Sequence, residues 1–214
     1  MTRRTAVVER TETYHRFLDA AEQAFIHFGY EGASIRRISA DAAAPLGTLH
    51  HYWGSKDVLF REVCERRFAP IQAEQLRRLR ALAPMGRRRK PDIVAVVRAL
   101  VEPPMSAGEG TPPVQDAIRR LYGRVLTEPS DVVKRIVKDM FRESTRLFRD
   151  LLQAACPELD AGVFYWRMTC ALGAFIFAQS FGDRVGYALA DAKLPADWRL
   201  ASDEVVGFIL RGMG

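Results

Sequence analysis

The sequence predicts an all-α chain: an N-terminal group of helices that reads as helix, short turn, helix, then a larger helical region. Apolar residues recur at spacings of three and four along most of the chain. No segment alternates as a strand would, and no internal repeat is present. Gly29, Pro45, Gly54 and the Pro- and Gly-containing stretches at 84–91 and 102–113 divide the periodic segments into helices.

The first helix runs from about Thr11 to Phe28, with Phe17, Leu18, Ala21, Ala24, Phe25 and Phe28 on one face. Gly29 is placed to end it in a left-handed conformation. Ser34 reads as the N-cap of a second helix whose inner face carries Ile35, Ile38 and Ala42. Pro45 stops that helix and opens the next, since proline suits a first turn and not an interior. Gly54 breaks the chain again. Ser55 caps a fourth helix that carries Leu59, Val63 and Cys64 inward and continues to Arg80. Residues 84–91, bounded by two prolines, read as a linker, and Asp92–Val101 as a short helix. The segment 102–113, rich in Pro and Gly, reads as a loop. Helices are predicted over about 114–126, 131–155 and 159–182. Pro195 precedes a last one from Ser202 to Arg211. The expected domains are 1–56 and 57–214, joined through the helix at about 57–80.

The chain has 214 residues, 48% of them apolar and 27% charged, enough for a core and a charged surface. The longest apolar stretch, Met168–Phe181, contains Thr169, Gln179 and Ser180 and reads as a buried helix, so no membrane partner is expected. The basic, polar start lacks the apolar core of a signal peptide, and a cytoplasmic location is expected. Three widely spaced cysteines make no disulfide framework. His15, His27, His50 and His51 lack further ligands at metal spacing. Neither a metal nor a cofactor is expected. Net charge is +6, which favours an anionic partner. The excess is local: residues 1–60 carry seven Lys/Arg and seven Asp/Glu, whereas 61–90 carry ten Lys/Arg against Glu62, Glu65 and Glu74.

The segment GYEGASIRRISADAAAPLGTLHHYWGSKDVL, Gly29 to Leu59, resembles the DNA-binding region of the TetR family of transcriptional regulators. The resemblance rests on Gly29-Tyr30, Ser34, Ile38, Gly47-Thr48-Leu49, Tyr52-Trp53 and Ser55-Lys56-Asp57. It implies a three-helix helix-turn-helix unit in which the helix after Pro45 enters the major groove of double-stranded operator DNA. Leu49 and Trp53, four apart, share the buried face. The candidate DNA contacts on this helix are Leu46, Gly47, Thr48, His50, His51 and Tyr52. Gly47 permits close backbone approach, Leu46 and Thr48 offer methyls to thymine, and His50, His51 and Tyr52 offer donors. Ser34 and Lys56 sit at helix N-termini suited to phosphate, and Arg36 and Arg37 reach phosphates or a guanine edge. Three features depart from the family pattern. His50 stands where an aromatic residue is usual, Ala43-Ala44 where the turn often holds Gly, and Pro45-Leu46 where a polar pair is common. An Ala forced to positive φ costs about 1 kcal/mol.

For the C-terminal half the resemblance implies architecture only: a helical effector domain and a homodimer built from the last two long helices. Gly173, Ala174, Phe175, Ala178, Phe208 and Ile209 are the expected dimer surface. Met140, Phe141, Phe148, Phe164, Tyr165 and Met168 are candidates to line a pocket for an unknown small apolar or aromatic effector, and equally fit an ordinary core. Arg142, Arg146 and Arg167 are candidate partners for a carboxylate on it. The stretch RRFAPIQAEQLRRL, 66–79, resembles a subgroup of the family with some fatty-acyl-responsive members. The expected function is a ligand-responsive repressor that binds a near-palindromic operator as a dimer. Effector entry would move the central helices, tilt the helix at 57–80 and change the spacing of the recognition helices. An activator of the same fold and a helical adaptor without DNA binding are the competing readings. Neither a phosphate loop nor a nucleophile elbow supports an enzyme.

Overall fold

The computed structural model describes residues 3–83, 90–188 and 197–214, with side chains for 11–83, 90–181 and 197–214. Among the described residues there are nine helices and no strand. They are α1 (Arg3–Gly32), α2 (Ile35–Asp41), α3 (Leu46–Trp53), α4 (Lys56–Ala81), α5 (Ile93–Ser106), α6 (Pro112–Thr127), α7 (Asp131–Ala155), α8 (Ala161–Ala188) and α9 (Trp198–Met213). The expected linker at 84–91 falls largely outside the described residues, as does Pro195.

The chain forms two compact units. The first comprises residues 1–68 and 124–139, and the second 69–123 and 140–214. The first reaches past the boundary expected at residue 56 and recruits the α6–α7 connection from far along the sequence. Its core is laid down by the predicted faces. Phe17, Leu18, Ala21 and Phe25 of α1 are buried with Ile38 of α2, Leu49 and Trp53 of α3, and Leu59, Phe60 and Val63 of α4. Phe25 meets Phe60 edge to face at 4.9 Å between ring centroids.

A buried ion cluster ties α1 to α4. Glu22, 3% exposed, accepts from Arg66 Nη2 at 2.7 Å and from Arg67 Nε and Nη2 at 2.7 and 2.8 Å. Burial alone would push this carboxyl up. The hydrogen bonds from Arg67 and Arg66 outweigh it and hold the group below the usual carboxylate range. Glu22 therefore stabilises the fold above the ordinary glutamate pKa, and that contribution is lost as pH falls through its lowered folded value.

In the second unit α5 differs from the sequence expectation. The helix runs on to Ser106 through Pro103 and Pro104, where a loop was expected from residue 102. The prolines are buried with Met105, so packing outweighs their low propensity. The N–H that Pro104 lacks is compensated from outside the helix. Pro104 cannot donate to the Leu100 carbonyl, and Gln75 Nε2 of α4 donates to it instead at 2.8 Å. The Pro104 carbonyl lies in the last turn and accepts from Gln179 Nε2 of α8 at 2.9 Å. Asp92 caps the other end, accepting from Val94 N at 3.0 Å.

Helices α6 and α8 approach closely at Gly123. A Cβ added there would lie 2.6 Å from Ser180 Cβ and 2.9 Å from Phe181 Cζ. Gly123→Ala is therefore expected to destabilise the protein by about 1–3 kcal/mol despite alanine's better helix propensity, as measured by denaturant unfolding. Unchanged stability would show that the two helices can separate without cost.

Candidate nucleic-acid interface

The short helix α3 is presented outward from a fixed base. Leu49 is fully buried and Trp53 is 4% exposed, as their spacing predicts. Trp53 donates through Nε1 to Glu62 Oε2 at 2.5 Å, stacks on Tyr14 at 5.1 Å and meets Phe17 edge to face at 5.8 Å. It is thereby tied to α1 and α4 together. On the opposite side Leu46, Gly47, His50 and His51 are exposed, and Thr48 and Tyr52 are half-buried at the margin. Tyr52 packs edge to face against Tyr14 at 5.5 Å, which fixes its ring. His50 Nδ1 lies 3.3 Å from the Gly54 carbonyl and is directed along the helix. A Cβ added at Gly47 would meet nothing within 4 Å, so the fold itself does not demand glycine there.

The flanking cations differ in freedom. Arg36 is exposed. Arg37 lies over the Phe28 ring at 4.2 Å and 3.7 Å from Asp41. Ser34 is the extended N-cap of α2, and its side chain makes no capping bond. Ser55 does cap α4, its Oγ accepting from Val58 N at 3.3 Å. Lys56 is anchored inside the unit: its Nζ donates to the Ala33 carbonyl at 3.2 Å and sits over the Tyr30 ring at 4.4 Å. An ammonium has three donors, so this anchoring orients the group and leaves others available.

Residues that sequence reasoning missed hold the break at the end of α1. Gly29 has φ +71° and ψ −179°: positive φ as expected, but in the extended region open to glycine and not the left-handed helical stop predicted. The break leaves backbone groups without helical partners, and Arg124 of α6 and Glu128 just beyond it supply them. Arg124 Nη2 donates to the His27 carbonyl at 3.3 Å, and Glu128 Oε2 accepts from Tyr30 N at 3.2 Å. A Cβ at residue 29 would lie 2.6 Å from Glu128 Oε2. Tyr30 OH donates to Asp57 Oδ1. Burial, then that bond and charge, pushes the phenol well above its ordinary range, so it remains a donor. Nothing local in the sequence ties residues 124 and 128 to residues 27–30.

In the second unit the candidate pocket residues divide. Phe148 and Phe164 are buried, Met140, Phe141 and Met168 are half-buried, and Tyr165 is 57% exposed and faces away from the core. The candidate dimer residues divide too. Phe175 and Ile209 lie in the unit's own core, Ala174 and Ala178 are half-buried, and Gly173 and Phe208 are exposed. A seam not singled out from the sequence runs along α8: Val163, Trp166, Cys170, Gly173 and Phe177 are exposed at alternating spacings of three and four. Its signal was present in the sequence as the pattern of a helix pairing with another helix. By length and composition alone, Ala161–Phe181 is also apolar enough to cross a membrane, and only 17% of its most apolar window is buried.

The turn between α2 and α3 holds Ala43 at φ +48°. This is the strained position anticipated from the Ala-Ala pair. Ala43→Gly is expected to raise the unfolding free energy by up to about 1 kcal/mol, measured by thermal and denaturant unfolding. A loss of stability would mean that the turn gains from the Ala methyl more than it loses in strain.

Comparison with known proteins agrees with this geometry. Residues 17–63 match the family model described as bacterial regulatory proteins, tetR family. Residues 98–212, just over half the chain, match the tetracyclin repressor-like C-terminal domain. The HTH-type transcriptional repressor AcnR of Corynebacterium jeikeium (strain K411) is 33% identical over 61 residues, 27% of this chain and 32% of AcnR. The chain thus spans about a third of that relative's length. Among solved structures, the fold is similar to HlyIIR, a hemolysin II transcriptional regulator, with 16% identity and TM-score 0.60 over 93% of this chain and 97% of that one. It is also similar to the fatty acid degradation regulator FadR from Bacillus halodurans, with 14% identity and TM-score 0.61 over 92% of this chain and 97% of that one. With the outward-facing α3 seated on α1 and α4, these matches assign the chain to the TetR family of transcriptional regulators.

Proposed function

We propose that this regulator is a homodimeric repressor that binds a near-palindromic operator through α3 and is released by a small, largely apolar effector. The observation that carries the reading is the division of α3 into a buried Leu49–Trp53 face and an exposed face of Leu46, Gly47, His50 and His51. Thr48 and Tyr52, at the margin, suit phosphate or thymine-methyl contacts. Arg36, Arg37, Ser34 and Lys56 suit the flanking backbone. Effector binding biases the protein toward a DNA-incompetent state, and α6 is the element that conveys it. Arg124 in its last turn and Glu128 just after it grip the backbone break at Gly29.

The second copy covers the exposed seam of α8. Residues at alternating spacings of three and four are the pattern by which one helix packs against another. Gly173 leaves open space for close approach, and the adjacent α9 adds Phe208, 58% exposed. A protein partner accounts for this apolar face better than lipid, because Arg167, Thr169 and Gln179 interrupt the helix. Two copies present two recognition helices to half-sites one helical turn apart, which gives the operator its two-fold symmetry.

Gly47→Ala separates recognition from folding. Stability is expected to hold or to rise by up to about 1 kcal/mol, while affinity for DNA from the chain's own promoter falls by about tenfold or more, because the added methyl meets the duplex. Fluorescence anisotropy at several salt concentrations measures this, with the steep salt dependence of phosphate contact expected in both proteins. Undiminished affinity would remove α3 from the interface. Phe177→Glu is expected to convert a dimer to a folded monomer in sedimentation velocity and to weaken operator binding by more than about tenfold. A dimer that survives this change places the partner elsewhere.

A further inference from the structure

We propose that Gln72 and Gln75 of α4 form the polar end of the effector site. The effector they fit is a neutral, mostly apolar molecule that carries a hydroxyl or an amide. The inference rests on the effector reading above and deepens it by naming the ligand chemistry.

The argument starts at Pro104. Its lack of an N–H obliges Gln75 to turn its nitrogen toward the Leu100 carbonyl, at 2.8 Å. That bond fixes the carboxamide's orientation and therefore the position of its oxygen. Gln75 is 1% exposed, and Oε1 has no hydrogen-bond partner among the described residues. A buried acceptor left without a donor costs about 1–3 kcal/mol. Supporting the Leu100 carbonyl requires only the nitrogen, so that task does not account for the unsatisfied oxygen.

Gln72 lies one turn earlier on the same face of α4. Its Nε2 is likewise shielded from solvent and without a partner. The two glutamines thus offer one free acceptor and one free donor, and they do not satisfy each other. A single hydroxyl can accept from Gln72 and donate to Gln75, and the edge of a carboxamide can do the same. On the adjoining turns Ile71 and Leu79 of α4 and Val97 and Val101 of α5 are buried.

Charge decides between a neutral ligand and an anion. Arg78 is bonded to Glu74 and Glu102, and Arg98 to Glu102 and Asp203. Arg142 and Arg146 are exposed, with Arg146 beside Asp150, and Arg167 donates to the Met213 carbonyl at 2.8 Å. These cations are already engaged or on the surface, so a neutral ligand suits the two glutamines better than a carboxylate. This departs from the fatty-acyl subgroup that residues 66–79 resemble.

The test titrates the full chain, without DNA, with para-propylphenol, para-propylanisole and para-propylbenzoate. These share a propylphenyl body and differ in donor and charge. Side-chain carboxamide resonances of Gln72 and Gln75 and the thermal midpoint are the readouts. The phenol is expected to shift both resonances and to bind at least about tenfold more tightly than the anisole, and the benzoate not to bind. Gln75→Met is expected to reduce the phenol to the affinity of the anisole. Because that variant also exposes the Leu100 carbonyl, Gln72→Met is the second variant and is expected to act in the same direction. Equal affinities for phenol and anisole, preference for benzoate, no binding, or a preference for phenol that survives both substitutions overturns the proposal and leaves a site filled by water only. Operator affinity on the same samples separates the two readings. Phenol bound at these glutamines with operator affinity unchanged removes the effector role and keeps the site. Operator release by phenol bound elsewhere does the reverse.

Discussion

Everything this molecule presents to a partner in its first unit depends on how Trp53 is held. A helix of eight residues is too short to persist by its own hydrogen bonds, so α3 exists because one of its faces is buried. Trp53 supplies most of that burial. Its indole N–H bonded to Glu62 and its ring against Tyr14 and Phe17 fix the rotation of α3 about its own axis as well as its position. With the rotation set, His50, His51, Gly47 and Leu46 face outward. The Glu22–Arg66–Arg67 cluster holds α1 to α4, the two helices on which Trp53 rests. Such a buried cluster adds modest net stability, because desolvation offsets much of the attraction, but it admits few alternative arrangements.

The same logic of compelled partners shapes the places where helices are interrupted. At Gly29 the break in α1 strands backbone groups that Arg124 and Glu128 satisfy, and this draws a segment nearly a hundred residues away into the DNA-reading unit. At Pro103-Pro104 the defect lies within α5, and Gln75 and Gln179 bridge it from α4 and α8. In both cases a local irregularity is read by side chains from other helices. An irregularity of that kind is a natural point of control. Moving the reader costs the break its partners, whereas a regular helix would be indifferent.

The N-terminal architecture was legible in the sequence because local rules determine it. Gly29, Ser34, Pro45 and Gly54 punctuate the helices, and Leu49 with Trp53 marks the buried face by spacing alone. Even the strain at Ala43 was foreseeable, from an Ala pair where the turn calls for glycine. What escaped depends on distant partners. The prolines of α5 read as a loop because nothing near them in sequence shows that Gln75 replaces the donor Pro104 lacks and that Gln179 holds the end of the helix. Arg124 and Glu128 were invisible for the same reason. On α8 the apolar content on both faces was plain, but the choice of outward residues was not. Phe175 turns inward, whereas Trp166 and Phe177 turn out, because the rotation of the helix is set by α5 and α9 packing against it.

The claim on which the account rests is that the exposed side of α3 meets DNA. Diethyl pyrocarbonate modification of the histidines, followed by mass spectrometry with and without operator DNA, addresses it directly. His27, exposed on α1, serves as the internal control. The account predicts that the duplex protects His50 and His51 and leaves His27 as reactive as in the free protein. Equal modification of His50 and His51 in the presence of saturating DNA would contradict it.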